Sequence, residues 1–229
     1  MDGITVITGP RSGAGHLFAL LRNFEAVATG DGLFADGAGD TPGRLEQLER
    51  EARSQNRSLI ALRATSALPR DAVERHLLDR DGMRTMFVVR RQVDAYVSLA
   101  KATALGAWRE TDLTRVKVKL EVARFAAWLD EQEDWYAHWR RWLERRALPV
   151  PVLRYEAHLT LPAEAVLRRF ASTAAQLGLT LRVPAALPFA GLTQQDREKI
   201  VAFKVKNWPE FSKALTERGV EKRAFGYPI

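Results

Sequence analysis

Cysteine is absent from the 229-residue chain, which excludes a disulfide scaffold and cysteine-held zinc and fits a reducing compartment. Long apolar runs are absent too, so no stretch reads as a bilayer span. Residues 1–10 carry neither the charged nor the apolar region of a secretory leader, and the expectation is a cytoplasmic protein with no transmembrane segment. Histidine is scarce at four residues, and no clustered ligands stand out, so no metal is expected. There is no internal repeat, heptad or low-complexity tract.

What is present is enough apolar residue, 46%, to bury one full core over 1–229, and the length demands no second domain. The net charge of +7 implies an anionic partner, whether nucleic acid, membrane surface or a multiply charged small molecule. Much of that charge reads as a solvated helix face, as at Arg140, Arg141, Arg145 and Arg146, so nucleic-acid binding is not inferred from the total.

Apolar patterning predicts an α/β fold with a central, mostly parallel sheet flanked by helices. Ile4, Val6 and Ile7 suit a buried strand, and Leu17, Leu20, Leu21 and Phe24 recur at helical spacing after it. Further strands are expected at 25–28, 58–64, 85–89 and 149–157. Helices are expected at 44–55, from Pro69 to about Arg80, from Gln92 onward, over 112–146 as one or two helices, and at 162–177, 194–203 and 209–218. Leu113, Val116 and Leu120 form one helical stripe of the 112–146 stretch. Trp135, Trp139 and Trp142 form another and read as core packing, whereas Trp108 sits in a loop beside Arg109 and Glu110 and is expected to line a pocket.

Between the first strand and its helix lies GPRSGAG, Gly9 to Gly15. Its glycines permit a tight turn and close approach to a ligand, and the following helix points free N–H groups and the positive end of its dipole into that turn. Arg11 adds a fixed cationic fork. A Walker A loop would need Lys and then a hydroxyl after its last glycine, where this chain has His16 and Leu17, so an ordinary P-loop kinase or ATPase is disfavoured. A dinucleotide fingerprint fits poorly because Phe18 takes the place of its third small residue. The junction at Val89 to Ser98 repeats the logic: an apolar strand runs into a helix through Arg90 and Arg91, and strand ends of a parallel sheet share one edge.

With Pro10, Arg11, Ser12 and Gly13 after the first strand, and Arg90 followed eight residues later by Ser98 after a later one, the chain resembles the sulfotransferases that use 3'-phosphoadenosine 5'-phosphosulfate. It is most similar in pattern to the bacterial carbohydrate type that modifies nodulation factors and trehalose. VLRYEAHLTLPAEAVLRRF, KVKNWPEFSKAL and the closing FGY extend the likeness over most of the chain. The resemblance implies a P-loop-like strand, loop and helix binding the phosphosulfate through Arg11, Ser12, Gly13, Ala14, Gly15 and His16, with Arg90 and Ser98 on the ribose 3'-phosphate. It also implies transfer of a sulfuryl group to a hydroxyl of a small-molecule or glycan acceptor, on a carbohydrate or glycolipid, with no metal.

The chain departs from the family at Ala14 and Gly15, where paired hydroxyl residues are usual. Each missing hydroxyl bond to a charged phosphate forfeits roughly 1.5–3 kcal/mol, tenfold or more in affinity. A sulfotransferase-like binding protein without chemistry is therefore a second expectation, and a divergent P-loop kinase a third. For the reaction, Arg11 stabilises developing charge, since an arginine does not act as an acid near neutral pH. The resemblance puts a carboxylate base in the loop after the first helix. Asp31 is the best match, although an Asp-Gly turn explains it equally, and Asp36, Glu25 and His16 are the alternatives. Glu156 is expected to be structural. Lys222 and Arg223 are either ligands of the 3'-phosphate or part of a solvated tail.

Overall fold

A computed structural model of the chain describes residues 1–34, 40–108 and 111–229. Five strands, β1 (Asp2–Thr8), β2 (Val27–Gly30), β3 (Leu59–Ala64), β4 (Met83–Val89) and β5 (Val152–Arg154), form one parallel sheet in the order β2-β3-β1-β4-β5. Around it lie α1 (Ala14–Leu21), α2 (Thr41–Ser54), α3 (Arg70–Val73), α4 (Gln92–Leu105), α5 (Val122–Arg145), α6 (Ala163–Gln176), α7 (Val201–Lys204), α8 (Trp208–Glu217) and α9 (Glu221–Ala224).

Both sheet faces are covered, which is why the strands read as continuous apolar runs. Ile4, Val6, Ala61, Met86, Val88 and Leu153 pack against α1 and α6. The alternate residues Ile7, Ile60, Leu62, Phe87 and Val89 pack against α2 and the tryptophan stripe of α5, where Trp135, Trp139 and Trp142 are buried as core. Each of the fully buried Ile, Val, Leu, Met and Phe side chains contributes about 1.5–3 kcal/mol. A third cluster joins α4 to the start of α5 and to α7–α9 through Val93, Val97, Phe125, Leu129, Phe211 and Leu215.

Topology then fixes where a ligand can sit. From β1 the chain leaves through α1 toward β2 on one side, and from its neighbour β4 it leaves through α4 toward β5 on the other. The crevice beyond the carboxyl ends of β1 and β4 is thus a switch point, the usual ligand position in such sheets. Register brings the two exits level, because Thr8 pairs with Val88. Tyr136 of α5 pins them: its hydroxyl accepts from Gly9 N–H at 2.6 Å and donates to Val88 C=O at 2.7 Å.

Two predicted helices are shorter than expected. Of the 112–146 stretch, Val122–Arg145 is helical as α5, while the residues ahead of it make a turn at 114–115 and then extend, with Val118 bridging Val205. The reason is visible in RVKVKL: β-branched residues alternate with cations at strand period, burying Val118 and Leu120 and exposing Lys117 and Lys119. In the predicted 194–203 helix only Val201–Lys204 is helical. Side chains ahead of it are held by distant partners instead, Gln195 by Arg11 and Asp196 by Lys101, and these tertiary bonds outweigh local propensity.

Candidate functional site

A cavity of about 730 Å³ opens at the switch point, within the range of small-molecule sites. Its floor is the turn from Gly9 to His16. Arg11 and Gly13 both take left-handed backbone, φ 56° and 94°. Glycine adopts this freely, but an arginine does so at a cost of order 1–3 kcal/mol, the kind of strain that gathers at ligand sites. At Gly13 a side chain is also excluded by packing, since a Cβ there would lie 2.4 Å from the Tyr155 ring.

The turn leaves α1 open at its start. Its first backbone bond is Leu17 N–H to Gly13 C=O, and no side chain caps it. The N–H groups of Ala14, Gly15 and His16 therefore have no acceptor among the described residues, and the first turn has no acid to offset the dipole. The Ser12 hydroxyl is buried and bonded to that of Thr8, so it braces the turn.

Arg11, Arg90 and Ser98, predicted from two separate motifs, are brought together. Arg11 Nε donates to Ser98 Oγ at 3.0 Å, and Arg90 donates to the Arg11 carbonyl at 3.1 Å. The other Arg11 nitrogens donate to the Trp108 carbonyl at 3.1 Å and to Gln195 Oε1 at 2.6 Å. The Arg90 guanidinium lies 4.3 Å over the Tyr155 ring. Every partner of these two arginines is neutral, and among the described residues neither forms an ion pair. Burial, and next the charge of Arg90, push the Arg11 pKa below its ordinary value. Arg90 Nε and Gln195 Nε2 are buried donors without partners. Two adjacent cations, orphan donors and an uncapped helix start together call for an anion with several oxygens.

His16 lines the cavity, and its Nδ1 lies 3.1 Å from the Leu192 carbonyl. A carbonyl only accepts, so Nδ1 carries the proton and Nε2 keeps its lone pair. Burial lowers the His16 pKa below 6.5, with the Leu192 bond offsetting part of the effect, so the ring is neutral at physiological pH. Gly191 packs against the imidazole so closely that a Cβ there would meet His16 Cε1 at 2.2 Å.

Asp31 follows β2, two strands away from β1, and is outside the cavity lining. Its carboxylate pairs with Arg63 at 2.9 Å, and Arg63 rather than Asp31 faces the cavity. Glu25 precedes β2 and sits at the opposite edge of the sheet, exposed. Asp36, Arg109 and Glu110 lie outside the described residues. Trp108 lines the cavity as expected. Glu156 accepts from Arg91 N–H at 3.1 Å, a structural role. Lys222 and Arg223 do not reach the lining, and Arg223 is clamped to Asp130 and Glu133 of α5.

Sequence reasoning missed the strap from Ala190 to Asp196, which supplies Leu192, Gln195 and Asp196. Asp196 is the one carboxylate among the described lining residues, and it is held by buried Lys101 at 2.7 Å and Lys204 at 3.6 Å. Nothing in LTQQDREK signals this, because Lys101, the nearer of the two ammonium groups in space, lies 95 residues away in the chain. Tyr155, within the VLRYEAHLTLPAEAVLRRF stretch, carries no site signal of its own in the sequence; its contact with Gly13 arises because β5 ends beside β4. Among the described residues no three His, Asp or Glu side chains gather as a metal site. Scans against family models, curated proteins and solved structures returned no match to this chain.

Proposed function

We propose that the chain binds 3'-phosphoadenosine 5'-phosphosulfate across the β1 and β4 exits and transfers its sulfuryl group to an acceptor hydroxyl, on a carbohydrate or glycolipid. The observation that carries this reading is the pair Arg11 and Arg90, two cations with only neutral partners meeting over an uncapped helix start. A ligand with two separated anionic groups satisfies both ends of that arrangement. The N–H groups of Ala14, Gly15 and His16, together with Arg11, hold the phosphosulfate. Arg90 and Ser98 hold the 3'-phosphate.

In the transfer, the acceptor oxygen forms a bond to sulfur as the bond from sulfur to the bridging phosphate oxygen breaks. The electron pair leaves on the nucleotide bisphosphate, where Arg11 stabilises it. The acceptor proton goes to His16 Nε2, which is neutral and basic in the cavity. Asp31 does not serve as base in this scheme, because its carboxylate is engaged by Arg63 outside the lining. One observation favours a second reading, a nucleotide-binding protein without chemistry: the first turn of α1 carries Ala14 and Gly15, which have no hydroxyl to add to their N–H groups.

Thermal denaturation with 3',5'-adenosine bisphosphate, followed by assay of labelled sulfuryl transfer to a panel of sugars and glycolipids, separates these. Stabilisation with transfer supports the enzyme, and stabilisation without transfer to any acceptor supports the binding protein. No stabilisation at saturating nucleotide contradicts both.

A further inference from the structure

Beside the cavity the chain presents a surface that donor binding does not use. The segment 111–121 runs along 204–207: Val118 N–H bonds Lys204 C=O at 3.1 Å, and Lys206 N–H bonds Val118 C=O at 2.8 Å. Asn207 locks the pairing, its side chain donating to and accepting from the Leu120 backbone at 2.9 Å each. With Val118 and Val205 turned into the core, Lys119 and Lys206 face outward together. Arg115 and Lys117 are exposed on the first segment, and Lys199 is exposed just ahead of the second.

None of these five cations forms an ion pair among the described residues. Of the neighbouring acids, Asp112 pairs with Arg197 at 2.6 Å, Glu121 with Arg124 at 3.0 Å and Asp196 with Lys101, while Glu198 accepts from Ile200 N–H at 2.8 Å. Large apolar side chains stand exposed just ahead of the second segment, Phe203 at 57% and Ile200 at 53%, and Trp108 at the cavity is 54% exposed. A solvated polar face has no use for these, and a nucleic-acid face does not need the aliphatic one. Lysines interspersed with exposed aromatic and aliphatic side chains match an anionic bilayer, where the cations meet headgroups and the apolar groups enter the acyl boundary.

We propose that this surface, formed by residues 115–119 and 199–206 with Trp108, docks the protein on an anionic phospholipid membrane. Trp108 is exposed and lines the cavity, so docking that takes it in sets the cavity mouth at the headgroup level. This deepens the proposed function on one point, that the acceptor hydroxyl is carried by a lipid. The surface itself does not depend on the donor.

Co-sedimentation of the whole chain with phosphatidylglycerol vesicles and with phosphatidylcholine vesicles, without nucleotide, tests the docking. Sedimentation with the anionic vesicles only, weakened by raised salt, is expected. The double variant Lys117→Glu and Lys119→Glu should lower partitioning at least tenfold, since each cation near such a surface is worth about fivefold. Phe203→Ser should lower it about tenfold while leaving the melting temperature and nucleotide binding unchanged. Failure to sediment with anionic vesicles, sedimentation unaffected by both variants, or capture by RNA in place of vesicles would each overturn the proposal. Because no nucleotide is present, these outcomes are independent of whether the donor binds.

Discussion

The two strand exits that meet at the cavity are built on opposite plans. At the β1 exit the turn takes left-handed backbone at two positions, α1 starts uncapped, and its leading N–H groups are left open. The β4 exit has no glycine, and part of its backbone is spent: Arg91 N–H goes to Glu156 and Gln92 N–H to the Gly226 carbonyl. α4 also starts without a side-chain cap, but Asp94, held by Arg91, sits in its first turn and offsets the dipole that α1 leaves bare. The first exit therefore offers mainly main chain and the second mainly side chains, Arg90 and Ser98. Two motifs that look alike as strand, cation and helix differ in which part of the peptide is left to bind.

His16→Gln tests the first exit most severely. Loss of its Nε2 base should lower sulfuryl transfer by about 10²–10⁴ while nucleotide affinity stays within about threefold. In the proposed transfer the same base should set the pH dependence. A histidine with a lowered pKa is neutral above it, so the rate should rise with pH through a value below 6.5 and stay flat above. A profile that still climbs well above pH 7 would break the assignment. Next in size, Gly13→Ala should weaken nucleotide binding about a hundredfold in calorimetry, because it forces φ 94° on a residue whose Cβ meets Tyr155.

Ala14→Ser sharpens the comparison from the other direction. A hydroxyl returned to the open helix start should tighten the nucleotide about tenfold, and an unchanged affinity would mean the main chain is already sufficient there. Smallest is Ser98→Ala, which removes one side-chain partner at the second exit and should cost about fivefold in affinity, with transfer at saturation little altered.

The sheet was legible because both its faces are buried, so Ile4, Val6, Ile7 and Met86 to Val89 announce strands without ambiguity. The approach of Arg11 and Arg90 was legible for a related reason: a parallel sheet aligns its strand exits, so residues at two exits become neighbours whatever their separation in the chain, whereas Ser98 was singled out by the resemblance alone. The strap at 190–196 was not legible. It has no period of its own and is shaped by His16, Arg11 and Lys101, which the sequence does not bring near it. Residues 111–121 misled because Leu113, Val116 and Leu120 fit a helical stripe while their neighbours alternate at strand period, and a core position for Val118 decided between them. Asp31 was implied as base by the resemblance, yet β3 lies between β2 and β1 and keeps it from the lining.

The central claim is that the two exits read two different phosphates of one nucleotide. Calorimetric titration with 3',5'-adenosine bisphosphate and with adenosine 5'-monophosphate, on the natural chain and on Arg90→Ala, tests it directly. The account predicts that the bisphosphate binds at least tenfold more tightly than the monophosphate and that Arg90→Ala removes the difference. Equal affinity for the two nucleotides on the natural chain, or a preference that survives Arg90→Ala, would contradict it.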